Sequence, residues 1–311
     1  LSPNHRTIHK TCMPKLGGVS IFSAFITGLL FHKLFIGEVH VNWNLIYGGL
    51  IIMMVGLLDD IFNLNCFIKL AGQTVAASVA VLHGFQAKLS MLLINSNLTE
   101  LLSLFISVLW IISIMNAINL IDGLDGLAST SSILLFLFLI ISGVYFQNLE
   151  STAIAFLMIA AILGFLIYNL PPAQIFMGDA GSQFIGYMLA CLSLQVYTSP
   201  TSFTHFEALI VLFALPLADI LLAIIRRLSQ GKTPFSPDKQ HIHHRLLDKG
   251  FSEAGVILIF CVAILFCSLM SFLIVKVTLE IKILLMMSVI LFLYIFIKRV
   301  GGFDFAPHTS I

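Results

Sequence analysis

Ten long apolar segments constrain this chain more than any other feature of its sequence. Each is free or nearly free of charge and close to the length of a membrane-crossing helix, which needs about 20 apolar residues. They lie at residues 16–36, 41–58, 70–87, 101–121, 128–147, 151–170, 183–201, 206–225, 254–275 and 280–297. Charged residues make up 10% of the chain, against about 25% in soluble domains, so lipid must cover most of the surface. The sequence predicts an all-α integral membrane protein with ten visible transmembrane helices.

The ends of the chain lead to two further expectations. The sequence starts at Leu1 rather than Met, so we expect a truncated N-terminus and an eleventh helix in the full-length chain. The connections between spans are short and no internal repeat is evident. Residues 1–311 are therefore expected to form a single polytopic domain.

Basic residues divide the loops between the spans into two sets. Twelve of the 16 Lys and Arg residues fall in one set and four in the other, and the positive-inside rule assigns the richer set to the cytoplasm. Every Asp lies on or near that face, whereas a transporter is expected to place some carboxylates near the middle of the bilayer. No basic block is typical of nucleic-acid binding. The distribution favours an enzyme that joins a water-soluble substrate to a lipid, with no nucleic-acid partner.

Two motifs at cytoplasmic span ends are rich in Asp and Asn. The second span ends in adjacent Asp59 and Asp60, which indicate metal binding or phosphate chemistry, with a solvated helix end as the alternative. Asn116, Asn119 and Asp122 are spaced i, i+3, i+6, so they share one face if the helix continues that far. Because an unpaired amide in an apolar run is costly, we expect these residues to bind a ligand, and interhelical hydrogen bonding is the alternative.

A third motif follows the pair of prolines that ends the sixth predicted span. The turn at residues 178–182, Gly-Asp-Ala-Gly-Ser, opens the next helix, and its free N–H groups could face a phosphate. Asp179 is well placed there as a metal ligand, although a plain loop is the alternative.

A fourth motif, in the longest cytoplasmic loop, contains three histidines. His241, His243 and His244 suggest zinc at first sight, but no Cys is nearby and no His-Glu-x-x-His pattern is present. Phosphate binding by imidazolium groups and Arg245 fits better, and a solvated basic loop is the alternative.

One carboxylate lies inside a predicted span upstream of this loop. Asp219 could pair with Arg226 or line the site, and we favour the pairing with Arg226.

Taken together and in this order, the motifs resemble the polyprenyl-phosphate N-acetylhexosamine-1-phosphate transferase family, glycosyltransferase family 4. The resemblance extends from residues 6–9 and 14–18 to residues 241–244. The stretch that begins at Pro234 is similar to the N-acetylglucosamine branch of the family. One departure is Lys15, where the family often has Arg, and the two side chains differ at a phosphate site.

The resemblance implies a reaction in which undecaprenyl phosphate and UDP-N-acetylglucosamine give undecaprenyl-diphospho-N-acetylglucosamine and UMP. It implies Mg²⁺, with Mn²⁺ as an alternative, held by Asp179, and a lipid phosphate contacted by Asp59 with the help of Asp60. The catalytic residues are then Asp59, Asp60, Asp122, Asp179, His243 and His244. The substrate-binding residues are Lys15, Lys69, Asn116, Asn119, His241 and Arg245, together with a uridine pocket of Gly123, Leu124, Asp125, Asn169 and Phe176.

Several alternatives stay open from the sequence. The lipid phosphate could attack directly or through an aspartyl phosphate intermediate, and a different N-acetyl sugar could be transferred. The downstream polymer, O-antigen or another envelope polysaccharide, and a homodimer are likewise left open. An ion-coupled transporter and a membrane metalloprotease are the competing classes. The expected location is the bacterial inner membrane, with the active site facing the cytoplasm.

Overall fold

The structure is a computed structural model that describes residues 13–35, 42–87, 96–198, 205–234, 236, 238 and 240–303. Within these residues all regular elements are helices, and the chain divides into two compact units, residues 1–204 and 205–311. The first unit holds α1 (Gly17–Phe35), α2 (Trp43–Phe62), α3 (Cys66–Leu82), α4 (Ser96–Ile121), α5 (Leu127–Tyr145), α6 (Leu149–Asn169) and α7 (Gly178–Tyr197). The second holds α8 (Phe206–Leu212), α9 (Ala214–Ser229), α10 (Ile242–Asp248), α11 (Glu253–Ile274) and α12 (Leu279–Val300). The single-domain expectation stays a prediction, because two compact units can belong to one catalytic domain.

The helices bear out a multi-pass membrane protein but do not confirm ten spans. Each of the ten predicted segments overlaps a helix. Among the described residues, seven helices are long and apolar enough to cross a membrane, or eight if the bent pair α8–α9 counts as one span. The helix α3 has only 17 residues, and α8 and α9 meet at an angle of 75°.

The helix α7 lies at the centre of the first unit. Its polar residues make it less apolar than the candidate membrane-spanning helices, so it is not counted among them. It packs against α1, α2, α4 and α5, and nearly all of its residues are buried, including Ser182 and Gln183. A helix enclosed by other helices needs no apolar surface towards lipid. Its polar residues can therefore serve the site at its N-terminal end.

Glycine at position 56 lets α2 approach the start of α7 closely. A Cβ atom added to Gly56 would lie 2.5 Å from the Cα atom of Ala180, so no larger residue fits without moving the backbone. The close approach brings the end of α2, with Asp59 and Asp60, against the first turn of α7.

A short turn between α2 and α3 completes this arrangement. Asn63 adopts the left-handed conformation, with φ 49°, and ends α2. Asn65 then caps α3, since its Oδ1 accepts a hydrogen bond from the N–H of Phe67 at 2.6 Å. The chain reverses within a few residues, so Lys69 in the first turn of α3 returns beside Asp59.

In the second unit, α11 packs against α8, α9, α10 and α12. The α8–α9 pair breaks at Phe213, and Pro216 stands in the first turn of α9, where its missing N–H costs little. The short helix α10 was not predicted. Residues 6–9, which contribute to the family resemblance, and Lys239 of the fourth motif lie outside the described residues.

Candidate active site

Four carboxylates come together at one end of the first unit, and we name Asp59, Asp60, Asp122 and Asp179 the acidic cluster. Asp59 and Asp60 lie in the last turn of α2, Asp122 follows α4, and Asp179 lies in the first turn of α7. The side chains of Asp59, Asp60 and Asp179 are 10%, 3% and 26% exposed. The structure thus gathers the four acids that the sequence assigned to catalysis.

Lys69 joins two members of the acidic cluster. Its Nζ lies 2.8 Å from Asp59 Oδ2 and 2.6 Å from Asp179 Oδ1. The amide of Asn119 also donates to Asp179 Oδ1, at 2.6 Å. Carboxylates this close together need a cation between them. The ammonium group of Lys69 stands at the point that a cation shared by Asp59 and Asp179 would occupy.

Asp60 faces the start of α7 on the other side of the cluster. Its Oδ2 accepts a hydrogen bond from the N–H of Ala180 at 3.0 Å, at a helix N-terminus that favours negative charge. Its Oδ1 lies 3.2 Å from the Nζ of Lys15. Gly178 has φ +71°, and a Cβ atom there would lie 2.6 Å from Asp60 Oδ2. Glycine at 178 therefore leaves room for this carboxylate.

Asp122 lies in the loop after α4. Its strongest charged neighbours are Asp179 and Asp60, and Lys15 is a cation near it. Burial, with the negative charges of Asp179 and Asp60, raises the pKa of Asp122 well above its usual value. The raised pKa reflects burial and how closely the carboxylates crowd together, and a bound cation would relieve their repulsion.

A set of amides, Gln73 and Gln183 buried and Asn116 and Asn119 half-buried, lies behind the cluster, and sequence reasoning missed Gln73 and Gln183. Gln73 donates to Gln183 Oε1 at 3.2 Å, and Asn116 donates to Gln73 Oε1 at 2.9 Å. Asn119 donates to Ser182 Oγ at 2.9 Å. Asn116 was predicted to bind a ligand, but in this structure its side chain joins α3 to α4. Polar residues within apolar spans were the signal that could have identified Gln73 and Gln183.

One residue of the predicted uridine pocket, Asn169, is hydrogen-bonded to other parts of the protein. Asn169 is buried, and its Oδ1 accepts from Ser129 Oγ at 2.9 Å and from the N–H of Gly126 at 3.2 Å. Its Nδ2 donates to the carbonyl of Ile175 at 3.1 Å. Both ends of this amide are therefore engaged, and Asn169 ties the loop before α5 to the loop before α7.

The other members of that pocket differ in exposure. Gly123 is exposed, Phe176 is half-buried, and Leu124 is buried. Asp125 Oδ2 accepts a hydrogen bond from the N–H of Ala173 at 2.9 Å. Gly123, Asp125 and Phe176 thus lie on one accessible pair of loops.

An open groove of about 380 Å³ reaches the acidic cluster from the side. Its lining is mostly apolar and includes Met13, Pro14, Leu16, Leu57 and Ile61, together with Lys15 and Asp60. Leu16 and Ile61 are 59% and 60% exposed. The groove therefore has an apolar wall that ends at one ion pair.

In the second unit, two carboxylates hold residues 236, 238 and 240–245, which we name the histidine loop. Asp219 Oδ2 lies 3.2 Å from His241 Nδ1, and Asp219 Oδ1 accepts from the N–H of Ile242 at 3.1 Å. Asp238 binds the buried guanidinium of Arg226. The expected pairing of Asp219 with Arg226 is therefore wrong, because the loop supplies a different partner to each of them.

The three histidines and Arg245 have different surroundings. Arg245 donates to the carbonyls of Gln240 and Gly301. The ring centroids of His243 and His244 lie 4.2 Å apart. His243 is fully buried, and neither ring nitrogen has a hydrogen-bond partner in the described part of the chain. Burial, with the neighbouring His244, lowers the pKa of His243 to about 3. His243 is thus a neutral ring, not the imidazolium expected from the sequence.

The acidic cluster fits a magnesium ion better than the histidine loop fits zinc. In the described ranges, no three His, Cys, Asp or Glu side chains surround one point as metal ligands. Mg²⁺ usually takes only one or two carboxylates and completes its shell with water and substrate phosphates. Asp59 and Asp179 fit that pattern, since an oxygen of each already faces one ammonium group.

Comparison with known proteins decides the family. A family model described as Glycosyl transferase family 4 matches residues 42–197. The chain is 34% identical, over 83% of its length and 72% of the relative, to a Bacillus subtilis protein described as a probable undecaprenyl-phosphate N-acetylglucosaminyl 1-phosphate transferase. It is 33% identical, over 83% of its length and 71% of the relative, to the decaprenyl-phosphate N-acetylglucosaminephosphotransferase of Mycobacterium tuberculosis. It is 31% identical, over 84% and 72%, to the undecaprenyl-phosphate alpha-N-acetylglucosaminyl 1-phosphate transferase of Escherichia coli K12.

The chain belongs to glycosyl transferase family 4. This confirms the predicted resemblance and makes the protein a membrane-embedded transferase. The matched segment holds the whole acidic cluster and Lys69 and stops before the histidine loop. Within this glycosyl transferase, the family match therefore rests on the first unit.

Proposed function

We propose that this glycosyl transferase moves N-acetylglucosamine 1-phosphate from UDP-N-acetylglucosamine to undecaprenyl phosphate. The products are undecaprenyl-diphospho-N-acetylglucosamine and UMP, and the reaction takes place at the cytoplasmic face of a bacterial inner membrane. The names of the curated relatives support the acceptor class and the sugar. The observation that carries the proposal is the apolar groove that ends at the acidic cluster.

The groove suits an acceptor with a long apolar chain and a phosphate head. Leu16, Leu57 and Ile61 offer an apolar wall to the chain, and Lys15 stands at the polar end. When a phosphate binds, the ammonium of Lys15 can turn from Asp60 to the phosphate, because its side chain is 34% exposed. Asp59 and Asp60 then lie beside the acceptor head.

The donor diphosphate would lie at Asp179. Bound Mg²⁺, or Mn²⁺ in its place, would neutralise the negative charge of the diphosphate. Asp179 and Asp59 present the oxygens that would hold the ion, and Asn119 orients Asp179 through the 2.6 Å hydrogen bond. Lys69 supplies a second positive charge to the reacting phosphates.

The nucleoside end of the donor is assigned to the loops that contain Gly123, Asp125 and Phe176. Phe176 offers a ring for stacking on uracil, and Asp125 a carboxylate for its N–H. Asn169 and the buried Leu124 position these loops from behind. Residues of the histidine loop, His241, His243, His244 and Arg245, are assigned to the binding of phosphate or sugar oxygens.

The chemistry is a direct displacement. A phosphate monoester has a second pKa near ~6, so the acceptor is mostly a dianion at pH 7 and needs no strong base. One of its oxygens bonds to the phosphorus attached to the sugar, while the bond from that phosphorus to the bridging oxygen breaks. UMP leaves with the bridging oxygen and its electron pair. Asp59 acts mainly by positioning the acceptor.

The test uses the purified full chain in lipid nanodiscs with undecaprenyl phosphate and a panel of UDP-sugars. We expect UMP release and a lipid diphosphate sugar with UDP-N-acetylglucosamine, and neither without the acceptor. Preference for another N-acetyl sugar would correct the donor assignment. Absence of turnover with every donor would overturn the proposed function.

A second experiment separates direct displacement from an aspartyl phosphate intermediate. Enzyme, Mg²⁺, UDP-N-acetylglucosamine and labelled UMP are mixed in preparations shown to be free of lipid phosphate. Double displacement predicts exchange of label into the nucleotide sugar, and we expect none. Exchange at a rate comparable with turnover would refute direct attack.

A further inference from the structure

A single carboxylate in α9 holds two consecutive residues of the histidine loop. Asp219 is 2% exposed. One of its oxygens lies 3.2 Å from His241 Nδ1 and the other accepts from the N–H of Ile242 at 3.1 Å. The two contacts fix the ring of His241 and the first residue of α10 at once. The family assignment of the first unit does not account for this arrangement.

The contact determines which nitrogen of His241 holds the proton. A carboxylate accepts hydrogen bonds and has none to donate, so the Nδ1 atom that faces Asp219 must be protonated. The second nitrogen, Nε2, is then turned away from the carboxylate and is available to a ligand. Orientation by a carboxylate is a recurrent way to prepare a histidine for binding or catalysis.

The neighbouring ring gives a second reason to expect a ligand here. His243 stacks on His241, with ring centroids 6.0 Å apart and planes 6° apart. Its two ring nitrogens are buried without a hydrogen-bond partner in the described residues. Buried polar atoms in native proteins almost always have a partner. A polar ligand beside His241 would supply one.

We propose that Asp219 is a positioning residue for the transfer reaction, acting through His241 and not by touching substrate. It holds His241 with Nδ1 protonated and sets the start of α10, so that His241 and His243 are ready for an oxygen-rich anion. This role rests on the proposed function, because the anion is a phosphate or sugar phosphate of that reaction.

Asp238 offers a matched control within the same loop. It is also a carboxylate that ties the loop to α9, through Arg226, and it accepts a 3.0 Å hydrogen bond from the N–H of Gln240 within the loop. In the described part of the chain, no hydrogen bond joins Asp238 to His241. A general loosening of the loop would follow from loss of either carboxylate, whereas loss of His241 orientation would follow only from loss of Asp219.

The kinetic experiment is a double-mutant cycle on the full chain in nanodiscs. Asp219→Asn keeps the shape of the side chain and can still accept from the N–H of Ile242. We expect it to lower kcat roughly tenfold or more in the wild-type background, and less than about twofold in a His241→Gln background. Asp238→Asn should show the same fold-loss in both backgrounds. Equal losses for Asp219→Asn in both backgrounds would show that Asp219 does not act through His241.

A spectroscopic experiment requires neither substrate nor turnover. Solid-state NMR of the ¹⁵N-histidine-labelled protein in bilayers reports which ring nitrogens are protonated. We expect a protonated Nδ1 signal in the wild type that is lost in His241→Gln and in Asp219→Asn. A wild-type His241 protonated only at Nε2 overturns the proposal, even if Asp219→Asn fails to fold. Lack of transferase activity with the expected NMR signal would instead refute the proposed function and leave the Asp219–His241 contact intact.

Discussion

The acidic cluster and the histidine loop both hold buried polar groups in an apolar protein, but their contacts join residues at different distances along the sequence. In the cluster, the contacts join residues far apart in sequence, such as Lys69 with Asp179, 110 positions away, and Asp60 with Ala180, 120 positions away. The contacts that hold the histidine loop to α9 join residues closer in sequence, 22 positions for Asp219 with His241 and 12 for Arg226 with Asp238. The cluster therefore depends on the packing of helices distant in sequence, whereas the loop depends mainly on the helix that precedes it.

The two regions also differ in the sign of their unbalanced charge. Within the described residues, Asp59, Asp60 and Asp179 of the cluster pair with the ammonium groups of Lys15 and Lys69. The loop and the adjoining end of α9 hold three guanidinium groups, of Arg226, Arg227 and Arg245, against the carboxylates of Asp219 and Asp238. Each region by itself therefore favours a different ligand charge, a cation at the cluster and an anion at the loop.

The largest expected effect tests whether the acidic cluster binds a cation through Asp179. Asp179→Asn keeps the shape of the side chain and removes its charge, so we expect transfer to fall about 1000-fold while the protein stays folded. Electron paramagnetic resonance should show loss of bound Mn²⁺. The exposed Asp248→Asn is the control and should keep both properties. Near-normal turnover of Asp179→Asn at ordinary Mg²⁺ would remove Asp179 as the metal ligand.

The second-largest expected effect tests whether the ammonium group of Lys69 occupies the cation position in the cluster. Lys69→Met removes the charge between Asp59 and Asp179, so Mn²⁺ should bind more tightly while transfer falls about 100-fold. Lys69→Arg keeps a charge with a different geometry and should fall between the wild type and Lys69→Met. Mn²⁺ affinity unchanged by Lys69→Met would mean that Lys69 does not occupy the cation position.

A smaller loss of transfer activity is expected from substitutions in the histidine loop. His243→Ala or His244→Ala should lower transfer about 10- to 100-fold, the cost of one hydrogen bond to a charged group. Metal content should stay the same, because no cysteine or carboxylate accompanies these rings as a metal ligand set in the described chain. Stoichiometric zinc in the wild type that disappears in the variants would contradict the anion-binding role.

The smallest effect concerns stability and pH. An unfolded histidine titrates near ~6.5, and burial lowers the pKa of His243 to about 3. The unfolded chain therefore binds the extra proton between these values, so this contribution to stability is present above ~6.5 and is lost as the pH falls. At pH 5.5 the loss is about 1 kcal/mol relative to neutral pH.

Thermal unfolding at pH 7.5 and pH 5.5 measures that difference. His243→Leu should reduce the drop in Tm by about 3 °C, whereas Gln in place of the exposed His83 should leave it unchanged. An equal drop in the wild type and in His243→Leu would show that His243 is not held neutral.

The sequence alone was enough for the membrane class, the approximate positions of the long helices and the family. Apolar runs of about 20 residues have few stable solutions in lipid, so each predicted segment overlaps a helix. The motifs, together with the family resemblance, also singled out all four acids that the structure brings together in the cluster.

Only the tertiary structure decided which polar groups meet. A hydropathy pattern cannot separate a helix that faces lipid from one enclosed by helices, and so α7 was counted as an ordinary span. It also cannot choose between two carboxylates for one guanidinium, and so Asp219 was assigned to Arg226 when it holds His241. Lys69 acquired its place between Asp59 and Asp179 through the close packing of α2 and α7 at Gly56. Such choices depend on distances set by packing, which residues more than 100 positions apart do not reveal in their order along the chain.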